Sequence, residues 1–186
     1  MITINSWYIL LPVFILFLLS LIIGTRKKIY RAGQYFLLIT LAIYLLALIH
    51  LVFFPLEVYL GQYKSTQPLW QQFLHEFNFI PVLTIDLSSF VLNVILFIPF
   101  GVYLPLLSSN IVSVKKAAKY GFFLSLSIEI LQFIIEFTLG SGRIEDINDI
   151  IANTLGAAVG FIIVRKLVKI KPVKELISKF SLSKTA

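Results

Sequence analysis

Five continuous apolar blocks, separated by polar and charged connections, run along the chain: Trp7 to Ile23, Phe36 to Phe54, Leu87 to Leu107, Ala117 to Leu139 and Ile150 to Val168. Each is close to the roughly 20 residues an α-helix needs to cross the hydrocarbon core of a bilayer. None alternates strictly between apolar and polar, so the blocks do not read as strands. The pattern predicts an all-α integral membrane protein, a bundle of about five transmembrane helices in one domain, residues 1–186. No linker rich in Gly, Ser or Pro divides it, and no internal repeat is visible.

Polar positions inside the blocks carry the chemistry. The fourth block holds Glu129, Gln132 and Glu136 at i, i+3 and i+7, which places them on one helix face. Counting from Lys119, Glu129 stands roughly 15 Å into the span. The fifth block opens from Gly140-Ser-Gly-Arg143, and Asp146, Asp149 and Asn153 repeat the i, i+3, i+7 spacing. Carboxylates in the first turn of a helix suit the macrodipole, which explains Glu145, Asp146 and Asp149 structurally. It does not explain Asn153, one turn deeper. In the third block Asn93 lies about 10 Å below Asp86. Pro99 follows mid-span, where a missing N–H predicts a kink, and Gly101 comes two residues later. Ionisable groups at membrane depth are expensive and face a partner or water rather than lipid. Asn93, Glu129, Gln132, Glu136, Arg143, Asp146, Asp149 and Asn153 are therefore expected to face one another, either as a buried fastening network or as a binding pocket. Ala152, Gly156 and Gly160 form a small-residue stripe suited to close packing of helices.

Charge sets the orientation. Arg26, Lys27, Lys28 and Arg31 follow the first block; Lys115, Lys116 and Lys119 lie between the third and fourth; seven more Lys and Arg occupy the basic tail, residues 165–186. Together these regions hold 14 of the 16 Lys and Arg residues. The positive-inside rule then puts the N-terminus outside, the C-terminus inside and the polar positions in the outer half. The first block lacks a basic stretch before it and a small-x-small site after it, so it reads as a retained span. The long second connection, from Pro55 to Asp86, has an amphipathic outer portion. Leu69, Phe73, Phe77 and Ile80 could line one face of an interfacial helix, with Gln72, His75 and Glu76 elsewhere and Trp70 as an anchor. His50 and His75 have no local metal-ligating partner.

Composition narrows the rest. Of 186 residues 59% are hydrophobic, and Phe alone contributes 17. The formal net charge of +7 would suggest nucleic acid in a soluble chain. Placed at span ends it points to anionic membrane lipids instead, with no nucleic-acid partner. The absence of cysteine excludes disulfides, thiol catalysis and thiolate metal sites.

These residues stand in a familiar order. Asn93-x3-Phe97-x-Pro99-x-Gly101 resembles a signature of the VanZ-like family. Glu129-x2-Gln132 is similar to its Glu-x2-Gln motif, and Arg143-x2-Asp146-x2-Asp149-x3-Asn153-x2-Gly156 to its closing motif. Asn78-x2-Pro81 matches a shorter piece ahead of the third span. The resemblance covers residues 78–160 and implies a multi-pass protein of the bacterial cytoplasmic membrane, associated with resistance to the glycopeptide teicoplanin.

Two functions follow as expectations. One is a non-enzymatic protein that binds the glycopeptide or a lipid-linked cell-wall precursor at the outer face. The alternative is an enzyme modifying a lipid-linked or phosphorylated envelope substrate, with Glu129, Asp146 and Asp149 as candidate catalytic groups. A divalent cation would suit such oxygen ligands. The Asp-x2-Asp spacing alone is a weak metal motif, so no cofactor or metal is assigned. A scaffold has no positive feature in its favour.

Overall fold

The computed structural model describes residues 2–58, 77–78, 86–139 and 145–182. Among them are five long helices: α1 (Trp7–Arg26), α2 (Ala32–Phe53), α3 (Leu87–Leu107), α4 (Val114–Leu139) and α5 (Ile147–Leu167). All five are long and apolar enough to cross a membrane. A sixth, short helix, α6 (Lys171–Phe180), follows α5. Large apolar side chains lie on the outside, among them Leu16, Phe123 and Ile134, as lipid rather than water requires.

Local chemistry explains where the spans begin and end. The third runs as expected: Asp86 caps it by accepting from Ser88 N at 3.1 Å, and the helix continues through Pro99 and Pro105. The fourth starts three residues earlier than hydropathy suggests, at Val114, because Lys115 and Lys116 are charged but good helix formers. The fifth also starts three residues early, at Ile147. Its polar first turn is helical because the Asp146 carboxylate accepts from Asn148 N at 2.8 Å. The basic tail is not simply a charged extension. Val173, Leu176, Ile177 and Phe180 fall at i, i+3, i+4 and i+7, so it folds as the amphipathic α6, with Pro172 in its first turn.

Two short ladders lie outside the spans. β1 (Ile2–Ile4) pairs antiparallel with β2 (Leu56–Val58), in the register Ile2↔Val58, Thr3↔Glu57 and Ile4↔Leu56. It joins the start of α1 to the end of α2, which the hairpin brings to one level. β3 (Phe77–Asn78) pairs parallel with β4 (Glu145–Asp146). The interfacial helix expected over Leu69 to Ile80 otherwise lies outside the described residues.

α5 is the central helix. Half of its most apolar stretch is buried, against 17% for α3 and α4, 11% for α2 and 6% for α1. Lipid is as apolar as the protein, so burial is driven by close contact rather than by the hydrophobic effect. Small residues supply that contact. A Cβ on Gly156 would run into the Val94 carbonyl, one on Gly160 into the Ile98 carbonyl, and one on Gly101 into the Ala157 carbonyl. The stripe foreseen on the fifth span therefore packs backbone to backbone on α3.

The remaining helices attach by specific contacts. Leu48 of α2, Phe97 of α3 and Ile128 of α4 form one buried cluster. Beside it the Tyr44 hydroxyl donates to the Leu96 carbonyl at 3.0 Å and meets the Phe100 amide, next to Pro99. α6 folds back beneath the start of α2 and the end of α3. Phe180 packs on Phe36, with ring centroids 5.5 Å apart. Gln34 Nε2 donates to the Ser181 carbonyl at 3.1 Å. Ser181 Oγ and Leu182 N both donate to the Leu106 carbonyl, each at 2.9 Å. That carbonyl belongs to the last turn of α3 and has no partner within its own helix. α1 packs on α2, and His50 Nδ1 meets Ser6 Oγ at 2.9 Å at the end that carries β1 and β2. His50 is thus an interfacial packing residue; His75 lies outside the described residues.

Candidate polar site between α3, α4 and α5

α4 and α5 run antiparallel, and the polar faces of the two helices meet. On α4, Ser125 and Glu129 are one turn apart and are 0% and 3% exposed. On α5, Asn148 and Asn153 are 3% and 4% exposed. Asn153 Nδ2 donates to Ser125 Oγ at 2.8 Å, deep between the helices. Toward the end of α5 that Asp146 caps, Glu129 Oε2 accepts from the Asp146 backbone N–H at 3.3 Å. Glu129 thus faces the N-terminus of α5, where free backbone N–H groups and the macrodipole favour an anion. This helps a carboxylate tolerate such burial.

Asp149 lies in the first turn of α5 and is half-buried. The Asn93 side chain of α3 hydrogen-bonds its carboxyl, which brings the third helix into the cluster. Asp146 is close enough to Asp149 for the two charges to repel. The structure therefore brings together Asn93, Glu129, Asp146, Asp149 and Asn153, as the face argument expects. Their elements are held at close range by the glycine contacts between α3 and α5.

Two other expected members are used differently. Gln132 Nε2 donates to the Val52 carbonyl at 3.2 Å, in the last turn of α2. Its amide therefore fastens α4 to α2. Glu136 is half-buried, nearer the end of α4. Arg143 lies outside the described residues. Two members were not singled out from sequence. Ser125 sits one turn before Glu129, a spacing that could have flagged it. Asn148 lies two residues after the capping Asp146, which accepts from its backbone N–H.

The cluster offers carboxylate and amide acceptors with amide donors beside them. Two buried acceptors, Asn153 Oδ1 and Thr154 Oγ1, have no partner among the described residues. Among those residues no three His, Asp or Glu side chains stand close enough together to hold a metal ion. The chemistry of the cluster is that of hydrogen bonding.

No curated protein and no solved structure matches the chain. A family model does. It is described as VanZ/LLP1, and it matches residues 41–169, more than two-thirds of the sequence, from within α2 to just past α5. With its five apolar spans and a match that takes in every residue of the polar cluster, the chain is a multi-pass membrane protein that belongs to the VanZ/LLP1 family.

Proposed function

We propose that the cluster of Asn93, Glu129, Asp146, Asp149 and Asn153 is a ligand site at the outer face of the bacterial cytoplasmic membrane. Through it the protein protects the envelope against a glycopeptide of the teicoplanin type, by holding the drug or a lipid-linked envelope component. The positive-inside distribution of Lys and Arg supports the outward orientation. The observation that carries the reading is a buried acceptor left open in the cluster. The buried Asn153 Oδ1, on the face of α5 that meets α4, has no hydrogen-bond partner among the described residues. A network that served only to fasten helices would gain most by satisfying every member. An open buried acceptor suits an N–H or O–H donor of the kind that a glycopeptide or a sugar-bearing precursor presents.

The test is protection and stability measured on the same variants. Glu129→Gln and Asp149→Asn keep shape and most hydrogen bonding. They are expected to abolish protection against teicoplanin in cells while membrane levels and melting temperature stay near wild type. Protection retained, or lost only in step with stability, overturns the reading. Incubation of the purified protein with a lipid-linked precursor separates binding from turnover, since a binding protein returns its ligand unchanged. A chemically altered product would replace this reading with the enzymatic one.

A further inference from the structure

At the bilayer face where α5 ends and α4 begins, far from the polar cluster, lies a second concavity of about 320 Å³. Ser113 borders it on the α3–α4 turn. Phe161, Ile162, Arg165, Lys166 and Lys169 border it on α5 and just beyond. Its two halves differ in character. Phe161 is 2% exposed and belongs to a fixed cluster with Leu104, Ile111 and Ala117, so the membrane-side wall is apolar and rigid. The rim carries three cations. Arg165, Lys166 and Lys169 are exposed, and their side chains form no ion pair or hydrogen bond among the described residues. Lys116, by contrast, is held by the Asn110 carbonyl at 2.8 Å.

The rule that sets orientation requires cations at this face, but not their convergence around one cavity. Three unpaired cations above an apolar wall match the profile of a phospholipid, with phosphate at the rim and acyl chains along α5. A free phosphate would gain nothing from Phe161 and Ile162. Basic pockets between spans bind anionic headgroups in this way. We propose that the pocket holds the phosphate of an anionic glycerophospholipid drawn from the leaflet at this face. The bound lipid clamps the end of α5 to the α3–α4 turn.

The full-length protein, purified in detergent, tests this by native mass spectrometry with dioleoyl phosphatidylglycerol, dioleoyl phosphatidylcholine or inorganic phosphate. The wild type is expected to retain phosphatidylglycerol at least tenfold better than phosphatidylcholine, with no displacement by millimolar phosphate. The triple variant Arg165→Gln, Lys166→Gln, Lys169→Gln should lose that preference. The triple Lys171→Gln, Lys174→Gln, Lys179→Gln removes equal charge from α6 and should keep it within twofold. Removing cations can also disturb insertion, so Ser113→Asp supplies an independent arm. Ser113 Oγ accepts from Lys116 N at 3.3 Å, a cap that aspartate can replace. The new charge faces the pocket while every cation stays in place, and it should also abolish the preference. Equal loss in both triple variants would assign the effect to diffuse surface charge. Displacement by phosphate would make this a small-anion site. Either result, an unaltered preference in Ser113→Asp, or no preference in the wild type overturns the proposal.

Discussion

Adding one methyl group at Gly160 should part the two helices that form the centre of this protein. An alanine Cβ there would run into the Ile98 carbonyl oxygen and stand 3.0 Å from Gly101 Cα and from the Ile98 carbonyl carbon. All three atoms are backbone, so no rotamer change relieves the contact. Non-bonded heavy atoms settle at roughly 3.5–4.0 Å, and the backbones must therefore separate by about 0.5–1 Å. A gap of that size forfeits roughly a quarter to a half of each dispersion contact along the interface. For roughly 30 atom pairs at about 0.15 kcal/mol each, the loss is about 1–2 kcal/mol, within the usual range for overpacking. Strain at the collision adds to it, and the better helix propensity of alanine returns up to about 1 kcal/mol. The net expectation for Gly160→Ala is a destabilisation of about 1–2 kcal/mol, and for Gly160→Leu a marked fall in folded protein. Gly24→Ala is the control: its Cβ would meet only the movable tip of the Tyr35 side chain, at 3.3 Å. It should not destabilise, and the better helix propensity of alanine can add up to about 1 kcal/mol. Unfolding by SDS in mixed micelles, followed by circular dichroism, reads both. Gly160→Ala as stable as wild type would refute backbone contact between α3 and α5.

Three further outcomes are expected. A cysteine introduced at Ser141 should react with a membrane-impermeant reagent on intact cells, and one at Ser113 should not; the native chain has no cysteine to confuse the result, and the opposite pattern refutes the orientation. A double-mutant cycle of Ser125→Ala and Asn153→Ala should give a coupling of about 0.5–2 kcal/mol in SDS unfolding, the range for hydrogen bonds between membrane helices; zero coupling would mean that the 2.8 Å bond between them contributes nothing net. Tyr44→Phe should cost about 0.5–1.5 kcal/mol by the same measurement, because it removes the donor to the Leu96 carbonyl; an unchanged midpoint would refute that contribution.

The spans were legible because a bilayer imposes length and apolarity on each. Asp86 and Ser108 bracket the third so clearly that its limits coincide with the helix. Where limits were missed, hydropathy was the wrong guide. The first turn of α5 contains Asn148 and Asp149, and only the capping Asp146 announces it. α6 was hidden because its apolar residues are interleaved with lysine, although their helical spacing stands in the sequence. The meeting of Glu129 with the start of α5 at Asp146 followed from face and topology. The pairing of Ser125 with Asn153 did not, since a serine in a span can satisfy itself on its own helix, as Ser127 does on Phe123 O at 2.7 Å. The attachment of Gln132 to Val52 was equally hidden, because it depends on where α2 ends in space.

The closure of α6 onto Leu106 gives assembly an order. Residues 171–182 leave the ribosome only after the five spans α1 to α5 have been made, within seconds of α5 at ordinary synthesis rates. Until then the Leu106 carbonyl and the face of α2 around Gly33 are uncovered. The tail therefore acts as a latch set last, and a nascent chain that stalls after α5 carries five spans without it. A fusion joined at Leu167 leaves the latch unset, whereas one joined beyond Leu182 leaves it intact.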